Sequence, residues 1–263
     1  MARSIFAARH FLLKGPAMGY RLRSGISFCD VSGQLLFLDI VADRYFCLQP
    51  EAERGFRDLL AQRSPAAAPG PVAGHNPDAA SRAPNHAPSR NPHRNRLAAM
   101  LRTGMLIETD DQTFPCPYRP GRHATLSLLD TPEQEAGLLD VAAAMMQIIG
   151  ARFSLRHRTL HDIVRALDLA RCPWPRSGKM APTELQAAAS AFERTSRFMR
   201  SHDQCLPRSI ALARHLAARN LPAELVMGVK LRPFAAHAWV QSGPWLLNDR
   251  IDTIRNYTPI LAV

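Results

Sequence analysis

The clearest pattern of apolar and polar positions lies in the last quarter of the chain, after residue 203. Apolar residues recur there at helical spacing: Leu206, Ile210, Ala213 and Ala217. This spacing predicts a helix of about four turns. Asp203 is suited to cap its start, Pro207 is tolerated in its first turn, and the sequence Asn-Leu-Pro at 220–222 ends it.

Strand-like runs follow this helix. We predict strands at 224–229, 236–241 and 244–248, with the last two joined as a hairpin around Ser242 and Gly243. Paired positions in an antiparallel hairpin have a constant index sum, and a turn centred on Gly243 makes that sum 486. This register predicts His237 opposite Asp249, and Trp239 opposite Leu247, on the face that meets the preceding helix.

The region before residue 203 is predicted to be helical. Apolar periodicity favours helices at about 132–150, 159–171 and 183–200. The apolar run at 141–149 is too short to span a bilayer, so no stable membrane insertion is expected. Helices followed by an antiparallel sheet predict an α+β fold for this part of the chain.

Shorter runs fill the first part of the chain. Strand candidates at 20–29, 34–41 and 44–48 are separated by Ser-Gly and Ala-Asp turns. Two helices, at 50–62 and 94–102, and a terminating strand at 104–108 follow them. Together these elements predict a small three-stranded, winged-helix-like domain.

Composition separates the two parts. Between residues 64 and 95 the chain consists mainly of Pro, Ala, Asn, Ser and Arg, and it lacks the large apolar side chains of a core. We therefore predict an N-terminal extension at 1–19 and a small domain formed by 20–63 with 94–115. A disordered Pro/Ala-rich insert at 64–93 interrupts that domain, and a larger domain occupies 116–263.

Charge and cysteine content limit the partners and the cellular compartment that we expect for this protein. The net charge is +11, yet the basic residues are scattered and nearly all Arg, so we expect no nucleic-acid partner; an acidic peptide or protein fits better. Five cysteines without CxxC spacing fit reduced thiols in the cytoplasm. Arg9, His10 and Lys14 interrupt any signal-peptide core, so no export is expected. No metal site is predicted.

Three residues in the last quarter carry candidate chemistry. Cys205 begins the predicted helix, where the helix dipole stabilises a thiolate. His237 follows in the sheet and Asp249 follows one hairpin strand later, which is the chain order of papain-like and transglutaminase-like thiol enzymes. Each residue alone more often has a structural role, but the combination favours a nucleophile, its base and the base's orienter. The backbone N–H of Cys205 and the side chain of Gln204 are candidate oxyanion donors.

The residues around this triad resemble a specific family, the B-type leader peptidases of lasso-peptide biosynthesis. The resemblance covers about residues 135–263 and is carried by the strings CLPRS at 205–209, PFAAHAWV at 233–240 and LND at 247–249. It implies a transglutaminase-like cysteine protease that cleaves a leader from a ribosomally made precursor, with Cys205, His237 and Asp249 as its triad. It implies no cofactor of its own, and it implies an asparagine-synthetase-like, ATP-dependent cyclase as a partner that receives the new amine.

The predicted N-terminal domain resembles the precursor-recognition domain of modified-peptide pathways, which has the fold of the small pyrroloquinoline-quinone pathway chaperone. In that family the leader pairs as an extra strand on the third strand and lies against the last helix. The resemblance implies that the lasso precursor's leader binds a groove formed by Arg44, Tyr45, Phe46, Cys47, Leu48, Leu97 and Leu101. The Pro/Ala-rich insert departs from the family pattern, because a short helix usually occupies that stretch.

Two other functions fit the same residues. An acyl transferase or transglutaminase would use the same triad with an amine, rather than water, as acceptor. A non-catalytic chaperone that binds the precursor would require an inert Cys205. Whether an amine or water accepts the acyl group distinguishes the acyl transferase from the peptidase. The alkylation rate of the Cys205 thiol distinguishes the chaperone from both enzymes.

Overall fold

The computed structural model describes residues 19–62, 92–111, 113–119, 123–130, 136–170, 182–196 and 204–263. The predicted extension at 1–19 and the insert at 64–93 fall almost wholly outside these ranges. The strands are β1 Gly19–Leu22, β2 Ile26–Val31, β3 Gln34–Asp39, β4 Arg44–Cys47, β5 Leu106–Thr109, β6 Leu126–Ser127, β7 Glu224–Leu231, β8 Phe234–Ser242, β9 Trp245–Leu246 and β10 Thr258–Ala262. The helices are α1 Pro50–Ala61, α2 Pro92–Arg102, α3 Leu138–His157, α4 Leu160–Ala170, α5 Pro182–Ser196, α6 Cys205–Ala218 and α7 Ile251–Ile254.

The predicted α+β class is confirmed, but the chain divides at different residues from those predicted. One compact unit contains Met1–Arg23 and Pro50–Pro115, and the other contains Ser24–Gln49 and Cys116–Val263. The three strands β2, β3 and β4, which we predicted in the small N-terminal domain, therefore belong to the unit that holds the C-terminal sheet.

In the residues that the structure describes, the first unit combines two helices with a two-stranded ribbon. β1 pairs antiparallel with β5, from Gly19 opposite Thr109 to Leu22 opposite Leu106. α1 packs on α2 at Gly55, where an added Cβ would lie 2.6 Å from the Cβ of Arg96. The guanidinium of Arg96 donates to the carboxylate of Asp58 at 2.8 Å. Because this pair is half exposed, its contribution to stability is small.

The second unit is built on a five-stranded sheet with the order β10-β7-β8-β9-β6. β7 and β8 pair antiparallel over eight residues, from Glu224 opposite Gln241 to Leu231 opposite Phe234. Successive residues Leu225, Val226 and Met227 in β7 are all buried, as expected for a strand covered on both faces. On one face the core includes α3, α4, α5 and α6.

The strands β2, β3 and β4 form an antiparallel sheet of their own within this second unit. Ser32 and Gly33 both have positive φ, 52° and 85°, which suits the two-residue hairpin turn between β2 and β3. Alternate residues of the sheet, namely Cys29, Val31, Leu36, Leu38 and Ile40, belong to the same core as α4, α6 and β7. This shared core is the physical reason that these strands group with the second unit.

α3 is shifted toward the C-terminus relative to the predicted helix at 132–150. It begins after Gly137, which is extended with φ −61° and ψ 152°, and it ends before Arg158, which is also extended. Gly150 does not end the helix, because Ala151 continues its buried face. By length and composition alone α3 could cross a membrane. One of its faces, however, packs on α5 and α6 in the core, which accounts for part of its apolar character.

The predicted register of the β8–β9 hairpin is wrong. Gln241 pairs with Leu246 and Ser242 with Trp245, which gives an index sum of 487 instead of 486. The turn consists of Gly243 and Pro244, with Gly243 at φ 56°. Trp239 is consequently not opposite Leu247. It packs with Val226 and Leu246 in a separate cluster, whereas Ala238 and Leu247 belong to the core that includes α6.

Candidate active site

Cys205 occupies the first turn of α6, as predicted. Gln204 is the N-cap residue, with φ −93° and ψ −12°, and its side chain makes no capping hydrogen bond. The predicted cap, Asp203, lies outside the described residues. The Cys205 sulfur accepts hydrogen bonds from the backbone N–H groups of Leu206 and Ala238. A thiolate at this position is thus stabilised by two backbone donors as well as by the helix dipole.

His237 connects Cys205 to Asp249. Its Nε2 is hydrogen-bonded to Oδ2 of Asp249, and its side chain is also hydrogen-bonded to the Cys205 sulfur. Since Nε2 is occupied by the carboxylate, Nδ1 is the ring nitrogen that serves the thiol. The three side chains form one continuous chain of contacts, and the His237 and Asp249 side chains are each only 17% exposed.

Asp249 reaches His237 because the chain leaves the sheet early. β9 ends at Leu246, and only one further ladder bond follows, from Leu247 N–H to the carbonyl of Val240 at 3.0 Å. Residues 247–249 form a bend instead of continuing the strand. With an index sum of 487, regular pairing would have put His237 and Asp249 on opposite faces. The bend removes that restriction, so the predicted contact is present although its predicted cause is not.

Asp249 is fixed by several groups besides His237. Its Oδ1 accepts the backbone N–H of Arg250 at 2.7 Å, and its side chain is hydrogen-bonded to Thr253. The Ser127 hydroxyl, from β6, donates to the Asp249 carbonyl at 2.7 Å. Ser127 was missed by sequence reasoning, because a serine 122 residues away from its partner carries no local signal.

Two aromatic rings flank the His237 imidazole. The ring centroids of His237 and Tyr257 are 5.1 Å apart, and those of His237 and Trp239 are 6.2 Å apart. Trp239 and Tyr257 both pack in the cluster on the face away from α6. His237 therefore meets Cys205 at the edge of β8 rather than across the face that packs on α6, which corrects the predicted placement.

The protonation states follow from these contacts. Burial disfavours the Cys205 thiolate, but the hydrogen bond from His237 and the backbone donors outweigh it, so the pKa of Cys205 is lowered from 9.0. Burial also opposes the imidazolium, yet hydrogen bonds to Asp249 and Cys205 raise the pKa of His237 to about 9. Burial disfavours the carboxylate as well, but the His237 hydrogen bond lowers the pKa of Asp249. These shifts all move the site toward a thiolate–imidazolium pair next to a carboxylate.

The predicted leader-binding residues are divided between the two units. Arg44, Tyr45, Phe46 and Cys47 form β4, and Leu48 follows it in the second unit, whereas Leu97 and Leu101 lie on α2 in the first unit. Leu97 is 1% exposed, so in this conformation its side chain is a core residue and not a surface contact for a peptide.

Tyr45, predicted to bind the leader, lies near the start of β8 and interacts with Cys205. Its ring lies 5.6 Å from that of Phe234, the first residue of β8. Burial raises the pKa of Tyr45 to about 12, and the charges of Asp43 and Cys205 contribute to this shift. A strand predicted to bind the leader therefore contributes a neutral phenol to the electrostatic surroundings of Cys205.

The described residues offer no group of three or more His, Cys, Asp or Glu arranged to hold a metal ion. Free thiols in the described ranges include Cys29, Cys116 and Cys205. Cys205 contacts a histidine and, through it, an acid, so the arrangement suits thiol chemistry.

Comparison with known proteins agrees with this geometry. Residues 148–262 match the family model described as transglutaminase-like superfamily, and this range contains Cys205, His237 and Asp249. The C-terminal part of the chain is thus a transglutaminase-like domain. The Microcin J25-processing protein McjB of Escherichia coli is 49% identical over 45 residues, which cover 17% of this chain and 22% of that protein. No solved structure matches the chain.

Proposed function

We propose that this protein is a cysteine peptidase that removes the leader from a ribosomally made lasso-peptide precursor. The observation that carries the proposal is the continuous contact from the Cys205 sulfur through His237 to Asp249. The transglutaminase-like domain and the partial similarity to a microcin-processing protein support the substrate class. We propose the cytoplasm as the site of action, because free thiols fit a reducing compartment.

The proposed reaction begins from the thiolate–imidazolium pair. The Cys205 thiolate attacks the carbonyl at the leader–core junction and forms a tetrahedral intermediate. His237 then gives its Nδ1 proton to the leaving amine, which frees the N-terminus of the core peptide. Water, deprotonated by His237, hydrolyses the acyl-enzyme and releases the leader. Asp249 keeps the imidazole oriented through Nε2 and stabilises its charge in both steps.

The start of α6 suits the developing oxyanion. The backbone N–H of Cys205 lies in the first helical turn, where the helix itself supplies no acceptor. The side chain of Gln204 adjoins it and is not used as a helix cap. We propose these two groups as the oxyanion donors. Removal of one such donor typically costs about 10²- to 10³-fold in kcat, so Gln204→Ala tests the second.

The partners follow from the product chemistry. A newly freed amine is the nucleophile that macrolactam formation requires, and that reaction also needs an activated carboxyl group. We therefore propose that an ATP-dependent, asparagine-synthetase-like cyclase consumes the product. Leader recognition along the strand Arg44–Cys47 is part of the same proposal. The direct test incubates the full chain with the precursor encoded beside it and reads the product masses.

Acyl transfer is the second candidate function, and the match to the transglutaminase-like superfamily favours it specifically. The same acyl-enzyme would then be captured by an amine. Adding a primary amine at high concentration to the precursor reaction distinguishes the two. Hydrolysis gives a leader with a free carboxyl terminus, whereas transfer gives a leader whose mass includes the amine.

A further inference from the structure

The edge of β8 next to the active site is completed by side chains instead of a strand. β9 is only two residues long and pairs with Gln241 and Ser242, so the peptide groups of β8 that precede Val240 lack a full strand partner on that side. The Val240 N–H donates to Oδ1 of Asn248 at 2.8 Å, and the Ala238 carbonyl accepts from the Ser209 hydroxyl at 2.9 Å. Nδ2 of Asn248 donates to the same hydroxyl at 2.8 Å.

The direction of each hydrogen bond in this network is determined. A backbone N–H can only donate, so the Asn248 atom that faces Val240 is the oxygen. The Asn248 amide nitrogen is then the donor to Ser209, and the single Ser209 proton is left for the Ala238 carbonyl. Ser209 is fully buried and Asn248 is 8% exposed. Because these groups are buried, removal of one member leaves its hydrogen-bonding neighbour unsatisfied, which costs free energy.

Ser209 and Asn248 are close in sequence to Cys205 and Asp249. Ser209 lies one helical turn after Cys205 on α6, and Asn248 immediately precedes Asp249. Ala238 of β8 is bonded to both Ser209 and Cys205 of α6, because its carbonyl accepts from the Ser209 hydroxyl while its N–H donates to the Cys205 sulfur. The network thus connects the helix of the nucleophile, the strand of the base and the bend that presents the carboxylate.

We propose that Ser209 and Asn248 are positioning residues that fix α6 and the 247–249 bend against β8, so that Cys205, His237 and Asp249 meet. The inference rests on the proposed function for its kinetic consequence, but its geometric part does not depend on the substrate. Without the Ser209 hydroxyl, the Ala238 peptide is released and its N–H is no longer held toward the sulfur. Without the Asn248 amide, the bend loses its hydrogen bonds to the Val240 N–H and to Ser209, although the Leu247 N–H still donates to the Val240 carbonyl.

The test uses the full-length protein with Ser209→Ala, Asn248→Ala and the double variant. The matched control is Thr195→Val, because the Thr195 hydroxyl is also buried and donates to a backbone carbonyl, that of Phe192, at 2.6 Å. Two readouts are taken. The first is the alkylation rate of Cys205 as a function of pH, followed on its own peptide by mass spectrometry because Cys47 and Cys116 are exposed. The second is kcat and KM for precursor cleavage.

Each single variant is expected to move the Cys205 alkylation profile to higher pH, since the thiolate loses an aligned backbone donor. His237 from β8 and Tyr45 from β4 are the titratable groups that face the thiol in the described residues, and no variant alters them. We expect kcat to fall about 10- to 100-fold, as for a small misplacement of reacting groups, while KM changes less than about twofold. The double variant should cost no more than the worse single variant, because the residues act in one chain.

The control should lose thermal stability without a change in the alkylation profile or in kcat per folded molecule. An alkylation profile of Ser209→Ala identical to that of the wild type would overturn the inference, as would strictly additive effects in the double variant. Failure of the proposed function is separable from this result. It would show as the absence of any cleaved product from the wild type, while the alkylation profiles would still decide the positioning role.

Discussion

The indole of Trp239 lies directly over the α-carbon of Gly228 on the neighbouring strand. A Cβ added to Gly228 would approach two ring carbons of Trp239, Cη2 and Cζ3, at 2.7 Å and the Cβ of Tyr257 at 3.1 Å. Gly228 is also the residue paired with His237. The missing side chain therefore makes room for the two rings that flank the imidazole.

Gly228→Ala should destabilise the protein by about 1–3 kcal/mol, the usual cost of overpacking a close-packed site. Because the displaced rings adjoin His237, kcat should fall as well. Gly150→Ala is the control, since open space surrounds that α-carbon on α3 and the substitution should stabilise by up to about 1 kcal/mol. Urea unfolding measures both, and equal stabilities would contradict the packing argument.

Cys205→Ala should abolish leader removal while precursor binding remains, because no other described thiol contacts His237. Mass spectrometry of the products and a binding titration measure the two properties. Cys116→Ala is the matched control, since that thiol is exposed and free, and its activity should equal that of the wild type. Cleavage at the full rate by Cys205→Ala would remove Cys205 as the nucleophile.

The pH dependence of kcat/KM should be bell-shaped. Activity rises as the Cys205 thiolate forms, and the pKa of that thiol lies below its ordinary value of 9.0 because His237 and two backbone donors outweigh burial. Activity falls again near pH 9, where the raised pKa of His237 means that the imidazolium loses the proton needed by the leaving amine. A profile that continues to rise above pH 9 would argue against the ion pair.

Asp249→Asn should preserve the fold and lower kcat strongly, by up to about 10⁴-fold if the change acts as it does in a serine triad. The amide cannot stabilise the imidazolium, so the pKa of His237 should fall and the alkaline limb should move to lower pH. Asp252→Asn is the control, because its side chain is 92% exposed on α7. An Asp249→Asn enzyme with an unmoved alkaline limb would show that Asp249 does not set the charge of His237.

A fragment that begins at Cys116 should not fold by itself. It lacks Val31, Leu36, Leu38 and Ile40, four aliphatic side chains of the shared core. Each contributes about 1.5–3 kcal/mol by burial, and together they approach the 5–15 kcal/mol that stabilises a typical domain. Circular dichroism and thermal unfolding of 116–263 against 24–263 check this. A cooperative transition of equal midpoint in both would contradict the assignment of β2, β3 and β4 to this core.

Much of the local structure follows from the sequence by itself. The bounds of α1 and α6 and the Ser32-Gly33 turn between β2 and β3 agree closely with the predicted ones, because helix periodicity and turn residues act between neighbours in the chain. The single strand predicted at 20–29 is wrong, because this stretch is divided between β1 and β2, which pair in different sheets. The identity and order of Cys205, His237 and Asp249 could also be predicted, since the proposed nucleophile, base and orienter require those residue types. Their mutual contact is present in the structure.

Only the tertiary structure decided how these parts meet. The register of β8 and β9 depends on whether the turn between them contains one residue or two. A change of one in the index sum moves the side chains of one strand to the opposite face of the sheet relative to the other strand. The grouping of β2, β3 and β4 with the five-stranded sheet depends on which apolar faces cover each other, and several strands and helices have apolar faces of similar composition. Ser209, Asn248 and Ser127 hold the site through hydrogen bonds to residues 29 to 122 positions away. Such bonds form between groups that only folding brings together, so no local pattern in the chain records them.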